Sequence, residues 1–378
     1  MVNNIKTITL YQPEKIVFGA GTFCQIPDEC LAKNFRKVLL LFASPLKTEA
    51  GNIKKSLTQS GVNVHLVEYL YGEPTVVYFN SLLEIAKNWQ PDAIIGIGGG
   101  SVLDSAKLMA ALFDSEQKPE EVFGSNLLHG RNCALICVPT TSGTGSEVSP
   151  NAILLDENDS EKKAVVSPYL VPDSCYIDPE LMTGLPPSIT AETAMDALSH
   201  CIEAFTNKFS HPVVDNYALA GIKFIVENLE TAYKDGNNLD ARAALALGSM
   251  YGGMCLGPVN TAAVHALSYG LGGKYHISHG LANAILLPEV MKFNMDACLD
   301  KYKTIAHTLG VNNVEEGIEK IRNLSIVCGI PQKLTDIGID LSETANLADL
   351  AMNVTRLLVN NPKEMTREDA INIYNALL

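Results

Sequence analysis

The feature that most constrains the fold is a set of short, largely apolar runs in the first half of the chain, separated by helical patterns. Residues 37–42, 62–67, 93–97 and 134–138 read as strands; 38–42, 93–97 and 134–138 are apolar throughout, while Asn63 and His65 interrupt 62–67. A run that is apolar at every position, rather than at alternate ones, must be buried on both faces of its sheet. Between the runs, 48–60, 81–89 and 102–113 carry helical patterns; Gly61 ends the first and Pro91 stops the second. Buried strands alternating with helices require a parallel sheet covered on both sides. The strand signal fades after Tyr176-Ile177-Asp178, and Pro186 and Pro187 break any continuous helix there. Beyond them 190–207, 212–234, 239–256 and 261–270 all read as helix. The expected architecture is an α/β domain over 1–183 and an all-helical domain over 184–378. A chain of 378 residues can bury a core in each.

Charge and cysteine usage narrow the partners. A net charge of -14 argues against nucleic acid or an anionic membrane surface. The nine cysteines are scattered without a CxxC pair, as expected of reduced thiols in a cytoplasmic protein. Residues 1–10 lack the apolar core of a signal peptide. Residues 243–273 contain no Asp, Glu, Lys or Arg, a length that could span a bilayer. They also hold Pro258, Asn260, His265 and seven glycines, and so read as helices buried within a soluble domain rather than in a membrane.

The run at 93–97 leads into three consecutive glycines, Gly98, Gly99 and Gly100, followed by Ser101 and a helix. Glycines let a backbone approach a ligand closely, and a helix start offers N–H groups to a pyrophosphate. The same glycines would also make a plain strand-to-helix turn. Ser101 and Asp104 have capping-box spacing. The pattern, G-x-G-x-x-S from Gly96, departs from the usual dinucleotide fingerprint and follows a middle strand. A second loop, 139–147, leaves the next strand with Thr140, Thr141 and Thr144 among small residues. Two such loops on neighbouring strands indicate a nucleotide crevice. There is no G-x-S-x-G elbow for a nucleophilic serine.

Histidines supply the remaining signal. Asp196 and His200 are four apart and share a helical face. His265, His276 and His279 follow in a glycine-rich segment. Three imidazoles and a carboxylate suit a first-row divalent ion, Fe(II) or Zn(II), with a position left for substrate. Spacing does not choose between His276 and His279. His211, before Pro212, reads as a helix start, and His65, within a strand, as structural.

These segments together resemble the iron-containing (group III) alcohol dehydrogenases: 98–107, 139–147, Asp196-Ala197-Leu198-Ser199-His200, and His265-Ala266-Leu267-Ser268-Tyr269 through His279-Gly280. The resemblance covers nearly the whole chain. It implies a dehydroquinate synthase-like architecture, with a dinucleotide-binding domain, a helical domain and the site in the cleft. It implies metal ligation by Asp196, His200, His265 and His279, with His276 a neighbour. It implies NAD(P) over Gly98, Gly99, Gly100, Ser101 and Asp104, and Thr140, Thr141 and Thr144 at the nicotinamide half. Lys163 and Leu181 match further cofactor-facing positions. The implied reaction is hydride transfer between a small alcohol or aldehyde and the nicotinamide, with Asp196 a ligand and not a base. A homo-oligomer, a dimer, is implied as well.

The chain departs from the family pattern twice. Many members place a second histidine, proposed to relay the proton, where this chain has Tyr269. With a reference pKa of roughly 10, tyrosine is the poorer relay, which leaves His276 as the other candidate. Tyr269 and residues 357–362 are similar to the 4-hydroxybutyrate dehydrogenase branch, so an ω-hydroxy acid is the alternative substrate; glycerol dehydrogenase-like and lyase enzymes share the scaffold. Strict NAD users of the family carry an aspartate after the first strand, where this chain has Ala43. Without that carboxylate, NADP(H) is expected to be accepted.

Overall fold

The computed structural model describes residues 6–70, 72–158 and 161–378. Residues 1–5, half of the segment read for a signal peptide, lie outside them. The chain forms two compact units, one of 11–141 with 145–182, the other of 183–378 with 142–144 and the described residues up to Leu10.

In chain order the first unit contains β1 (Lys15–Phe18), α1 (Ile26–Ala32), β2 (Lys37–Ala43), α2 (Lys47–Gln59), β3 (Asn63–Tyr69), α3 (Val76–Trp89), β4 (Ala93–Gly98), α4 (Gly100–Leu112), β5 (Gly124–Ser125), β6 (Ala134–Pro139), β7 (Asn151–Asp156), β8 (Glu161–Val166) and β9 (Ser174–Ile177). Six strands form a parallel sheet in the order β1-β9-β6-β4-β2-β3. All six residues of β4 are buried, which is why that run shows no alternation. The order reverses at β2, with β3 on one side and β4 on the other. In open α/β sheets such a reversal opens a ligand crevice at the strands' carboxyl ends, and the triple glycine leaves β4 at that point.

Some local expectations differ. Helix α3 starts at Val76, not at 81, because the Thr75 side chain caps it by accepting from the Tyr78 N–H at 3.2 Å. The small sheet β5-β8-β7, with its antiparallel β7–β8 pair, carried too little apolar alternation to be read. The capping box at Ser101 does not form: Gly99 is the N-cap of α4 and no side chain caps it. Asp104 instead turns into the unit and accepts from the Ser146 hydroxyl at 2.5 Å and the Ile153 N–H at 3.0 Å. His65 stacks on Trp89, ring centroids 5.0 Å apart.

The second unit holds α5 (Pro187–Thr206), α6 (Pro212–Lys234), α7 (Leu239–Leu256), α8 (Ala263–Tyr275), α9 (His279–Asn294), α10 (Leu299–Thr308), α11 (Val314–Val327), α12 (Thr344–Asn353), α13 (Thr355–Leu358) and α14 (Arg367–Asn375). Pro187 starts α5 rather than blocking it, since the first helical residue has no intrahelical use for an N–H. His211 caps α6 by accepting from the Val213 N–H. Helix α5 is buried continuously from Ala194 to Thr206 and packs on α6, α7 and α9. The approach depends on missing side chains. A Cβ at Gly221 would lie 2.5 Å from Cys201 Sγ, and one at Gly248 2.4 Å from Ile225 Cγ1. The charge-free stretch becomes the buried body of α7 and α8; among the described residues no helix is long and apolar enough to cross a membrane. All nine cysteines are unpaired, with Cys24 exposed and most of the rest buried.

Candidate metal centre and nucleotide loop

Helix α5 presents Asp196 and His200 one turn apart on its buried face. Helix α8 adds His265, and His279 opens α9. One donor atom from each lies within 4.8 Å of all the others. Asp196 Oδ1 stands 3.9 Å from His200 Nε2 and 3.6 Å from Nε2 of both His265 and His279. His276 is not in the cluster. It ends α8 in the left-handed conformation, φ 56°, and is exposed. The close entry of His279 rests on Gly280, where a Cβ would sit 2.4 Å from the Glu192 carbonyl oxygen of α5.

Two further residues shape the centre. Glu203, on α5 one turn beyond His200, accepts from the Val264 N–H at 2.6 Å and pairs with His265 Nδ1 at 2.5 Å. This pairing directs Nε2 of His265 inward and is the usual support for a metal-binding imidazole. Its signal in the sequence was a carboxylate three residues after His200 on a face that is otherwise apolar. Asn283, one turn after His279, holds its amide nitrogen 2.7 Å from Asp196 Oδ1 and 3.2 Å from Nε2 of His265 and of His279. It marks the point on which the donors converge. Its own Oδ1 is buried without a partner, a second oxygen at the edge of the cluster.

The electrostatics describe a site short of positive charge. Burial works to raise the Asp196 carboxyl, but the imidazoles of His200, His279 and His265 outweigh it and hold the group well below the usual carboxylate range. Burial lowers His200, with Asp196 opposing. Burial would lower His265 too, yet the carboxylates of Glu203 and Asp196 lift it to about 9. Two buried carboxylates face three imidazoles. A divalent cation balances that set with every imidazole neutral, and the donors are those that Fe(II) and Zn(II) take. The residues therefore fit such an ion. The cluster is open on one side: the His279 side chain is 26% exposed, against 4 to 5% for the other three. Tyr269 stands on that side, its ring centroid 6.3 Å from that of His279, and its hydroxyl accepts from Arg356 at 3.2 Å.

In the α/β unit, Gly98 ends β4 and Gly99 precedes α4. A Cβ at Gly98 would lie 2.6 Å from Val102 Cγ2, and one at Gly99 3.3 Å from Thr141 Oγ1. The Thr140 N–H donates to the Gly98 carbonyl at 3.0 Å and joins the two loops. Lys107, fully buried on α4, donates to the Ser146 carbonyl at 2.9 Å and to the Asn151 carbonyl at 2.5 Å. Asp104 and Lys107 thus pin the end of the second loop and the start of β7, and Ser101 is left in the first turn of a helix with no side-chain cap. That is anion-binding geometry. Lys163, on β8, pairs with Glu161 at 2.9 Å, and Leu181 packs against the core cluster on one face of the sheet, which includes Val38, Ile95, Ile136 and Tyr176. Thr144 falls within 142–144, the segment grouped with the helical unit.

Known proteins give this arrangement a family. The model for iron-containing alcohol dehydrogenase matches residues 13–179, and that for the C-terminal part of the Fe-containing alcohol dehydrogenase family matches 190–378. The chain belongs to the iron-containing alcohol dehydrogenase family. Its activity is that of a metal-dependent alcohol or aldehyde oxidoreductase. Alcohol dehydrogenase 4 of Saccharomyces cerevisiae is 32% identical over 96% of this chain and 96% of its own. A crystal structure of 1,3-propanediol oxidoreductase superposes with a TM-score of 0.93 at 30% identity, covering 99% of this chain and 100% of that one. Sulfoacetaldehyde reductase from Bifidobacterium kashiwanohense, solved in complex with NAD+, superposes with a TM-score of 0.91 at 26% identity, covering 98% and 99%. Enzymes of this family work with NAD(H) and a metal, typically iron.

Proposed function

We propose that the chain interconverts short alcohols and aldehydes with NAD(P), using a divalent ion held by Asp196, His200, His265 and His279. The observation that supports this most is the convergence of four buried donors, one of them oriented by Glu203. Fe(II) is the favoured ion and Zn(II) the second. Bound there, it would polarise the substrate oxygen and make the alcohol more acidic.

The protein's own groups do the rest. Asp196 is a metal donor and not a base: its Oδ1 faces the Nε2 atoms of His200, His265 and His279, and these imidazoles favour the carboxylate against the effect of burial. Glu203 keeps His265 in one tautomer. The loop Gly98-Gly99-Gly100-Ser101 receives the pyrophosphate at the start of α4, and Thr140, Thr141 and Thr144 meet the nicotinamide half, with Lys163 and Leu181 further out. Asp104 serves this loop from behind, through Ser146. Tyr269, beside His279, passes the proton to and from the substrate oxygen, with the exposed His276 as the alternative. Ala43 ends β2 without a carboxylate, so a 2′-phosphate meets no repulsion there and NADPH is used. We assign the nucleotide to residues 1–183, the ion to 184–378, the protein to the cytoplasm and its assembly to a dimer.

The test is reduction of short aldehydes, followed by loss of nicotinamide absorbance under anaerobic conditions with Fe(II) or Zn(II) supplied. Turnover that survives in Asp196→Ala or His265→Ala would remove the metal centre from the chemistry.

A further inference from the structure

Arg356 is exposed, and among the described residues its guanidinium has one side-chain partner, the Tyr269 hydroxyl at 3.2 Å. Among the described residues no carboxylate pairs with it. Its position is nevertheless built. It lies in the short helix α13, whose Leu357 is fully buried. Asn360 then donates to the Thr261 carbonyl, just ahead of α8, at 2.8 Å and to the Arg356 carbonyl at 3.3 Å. Asn361 exchanges amide hydrogen bonds with Asn294, the last residue of α9, at 2.7 and 2.9 Å. The paired asparagines at 360 and 361 therefore lock the Arg356 turn to the two helices that carry His265 and His279. From the guanidinium the contacts run to Tyr269, then to the ring of His279, the one donor on the open side of the cluster.

We infer that Arg356 receives the terminal oxyanion of the substrate, which makes the preferred substrates short ω-oxo acids and ω-hydroxy acids rather than neutral aldehydes and alcohols; this rests on the oxidoreductase reading above. A guanidinium presents parallel N–H donors that match a carboxylate or sulfonate, and one with no ion pair among the described residues has that capacity unused. Tyr269 fixes the fork from one side and leaves the remaining donors free. The reacting carbon then lies at the donor cluster and the acid group at Arg356, which sets the substrate's length as well as its charge.

The experiment compares kcat/KM for 4-oxobutanoate, sulfoacetaldehyde and butanal in the wild type, Arg356→Met and Arg356→Lys, with both NADH and NADPH. The wild type should favour an acid over butanal. In Arg356→Met the acid-to-butanal ratio should fall about 100-fold, mainly through KM, the size expected for losing a charged hydrogen-bonding partner. Arg356→Lys should recover part of it. Whichever acid shows the larger fall identifies the oxyanion. A wild type indifferent to the acid group, or a ratio unchanged in Arg356→Met because both substrates suffer alike, overturns the inference and leaves the oxidoreductase reading standing. If no aldehyde is reduced by the wild type, both fall.

Discussion

Replacing Glu203 by glutamine tests how the metal centre is supported. The carboxylate is buried and serves two donors, the Val264 N–H at 2.6 Å and His265 Nδ1 at 2.5 Å. A glutamine of the same shape has one oxygen and one NH2. The two donors meet different carboxylate oxygens, so the single amide oxygen can replace only one of them in place, and the NH2 then faces the other donor. The unsatisfied buried donor costs about 1–3 kcal/mol. His265 also loses the partner that directs Nε2 inward, and losses of this kind weaken metal binding about 10–100-fold, or about 1.4–2.8 kcal/mol at 1.4 kcal/mol per tenfold. The affinity is measured by equilibrium dialysis against buffered Zn(II), and the apo-protein is melted in parallel. Glu203→Gln should bind about 10–100-fold more weakly and melt earlier without metal. A variant that holds Zn(II) within about threefold of the wild type would show that His265 is oriented without Glu203, and the reasoning would fail.

Other perturbations probe separate parts of the chain. Gly280→Ala puts a Cβ 2.4 Å from the Glu192 carbonyl, so α9 must shift and carry His279 with it; we expect about 1–3 kcal/mol of destabilisation together with metal loss, and an unchanged melt with full metal content would refute it. Burial pushes the Glu147 carboxyl up to about 7 although Lys107 opposes. The unfolded chain ionises this group lower, at the ordinary value of 4.5, so its contribution to stability is complete below that pH, declines as pH rises and levels off above about 7. Urea unfolding at pH 5 and pH 8 should show this decline in the wild type but not in Glu147→Gln; equal slopes would contradict it. Ala43→Asp should move cofactor preference toward NADH by at least about tenfold, or 1.4 kcal/mol, as read from kcat/KM with the two cofactors, and no movement would separate Ala43 from the ribose.

The readable parts of the fold were those where one physical requirement dominates. β4 announced itself because both its faces are covered, and the helices at 212–234 and 239–256 matched because their caps are local. The sequence pattern shortens α3, since a threonine cap followed by two β-branched valines looks like a strand edge. The Ser101–Asp104 pair shows the limit of spacing arguments: the residues were right for a cap, but Asp104 gains more from Ser146 and Ile153, partners that only the tertiary fold supplies. The same holds for the centre. Asp196 and His200 are neighbours on one helix and could be paired by eye. Spacing leaves His276 and His279 open and the family resemblance favours His279; the left-handed end of α8 supplies the physical reason, and Asn283 and Arg356 become visible only once α9 and α13 are in place.

The small residues around α5 carry a consequence for how this chain tolerates change. Gly221, Gly248, Gly252 and Gly280 each let a backbone come close to α5 or to the helix beside it; a Cβ at Gly252 would meet His200 Cβ at 3.3 Å. Cavities left by trimmed leucines can partly collapse, but a Cβ forced against the Glu192 carbonyl, or against the Cys201 and Ile225 side chains packed between helices with a carbonyl close behind, has little room to move. In a saturation library of the helical unit, the steepest loss of fitness outside the donors should therefore fall on these glycines and not on the bulky core. Such a map would trace the frame of α5 by its absences, and a lineage drifting under relaxed selection would be held longest at positions that have no side chain to conserve.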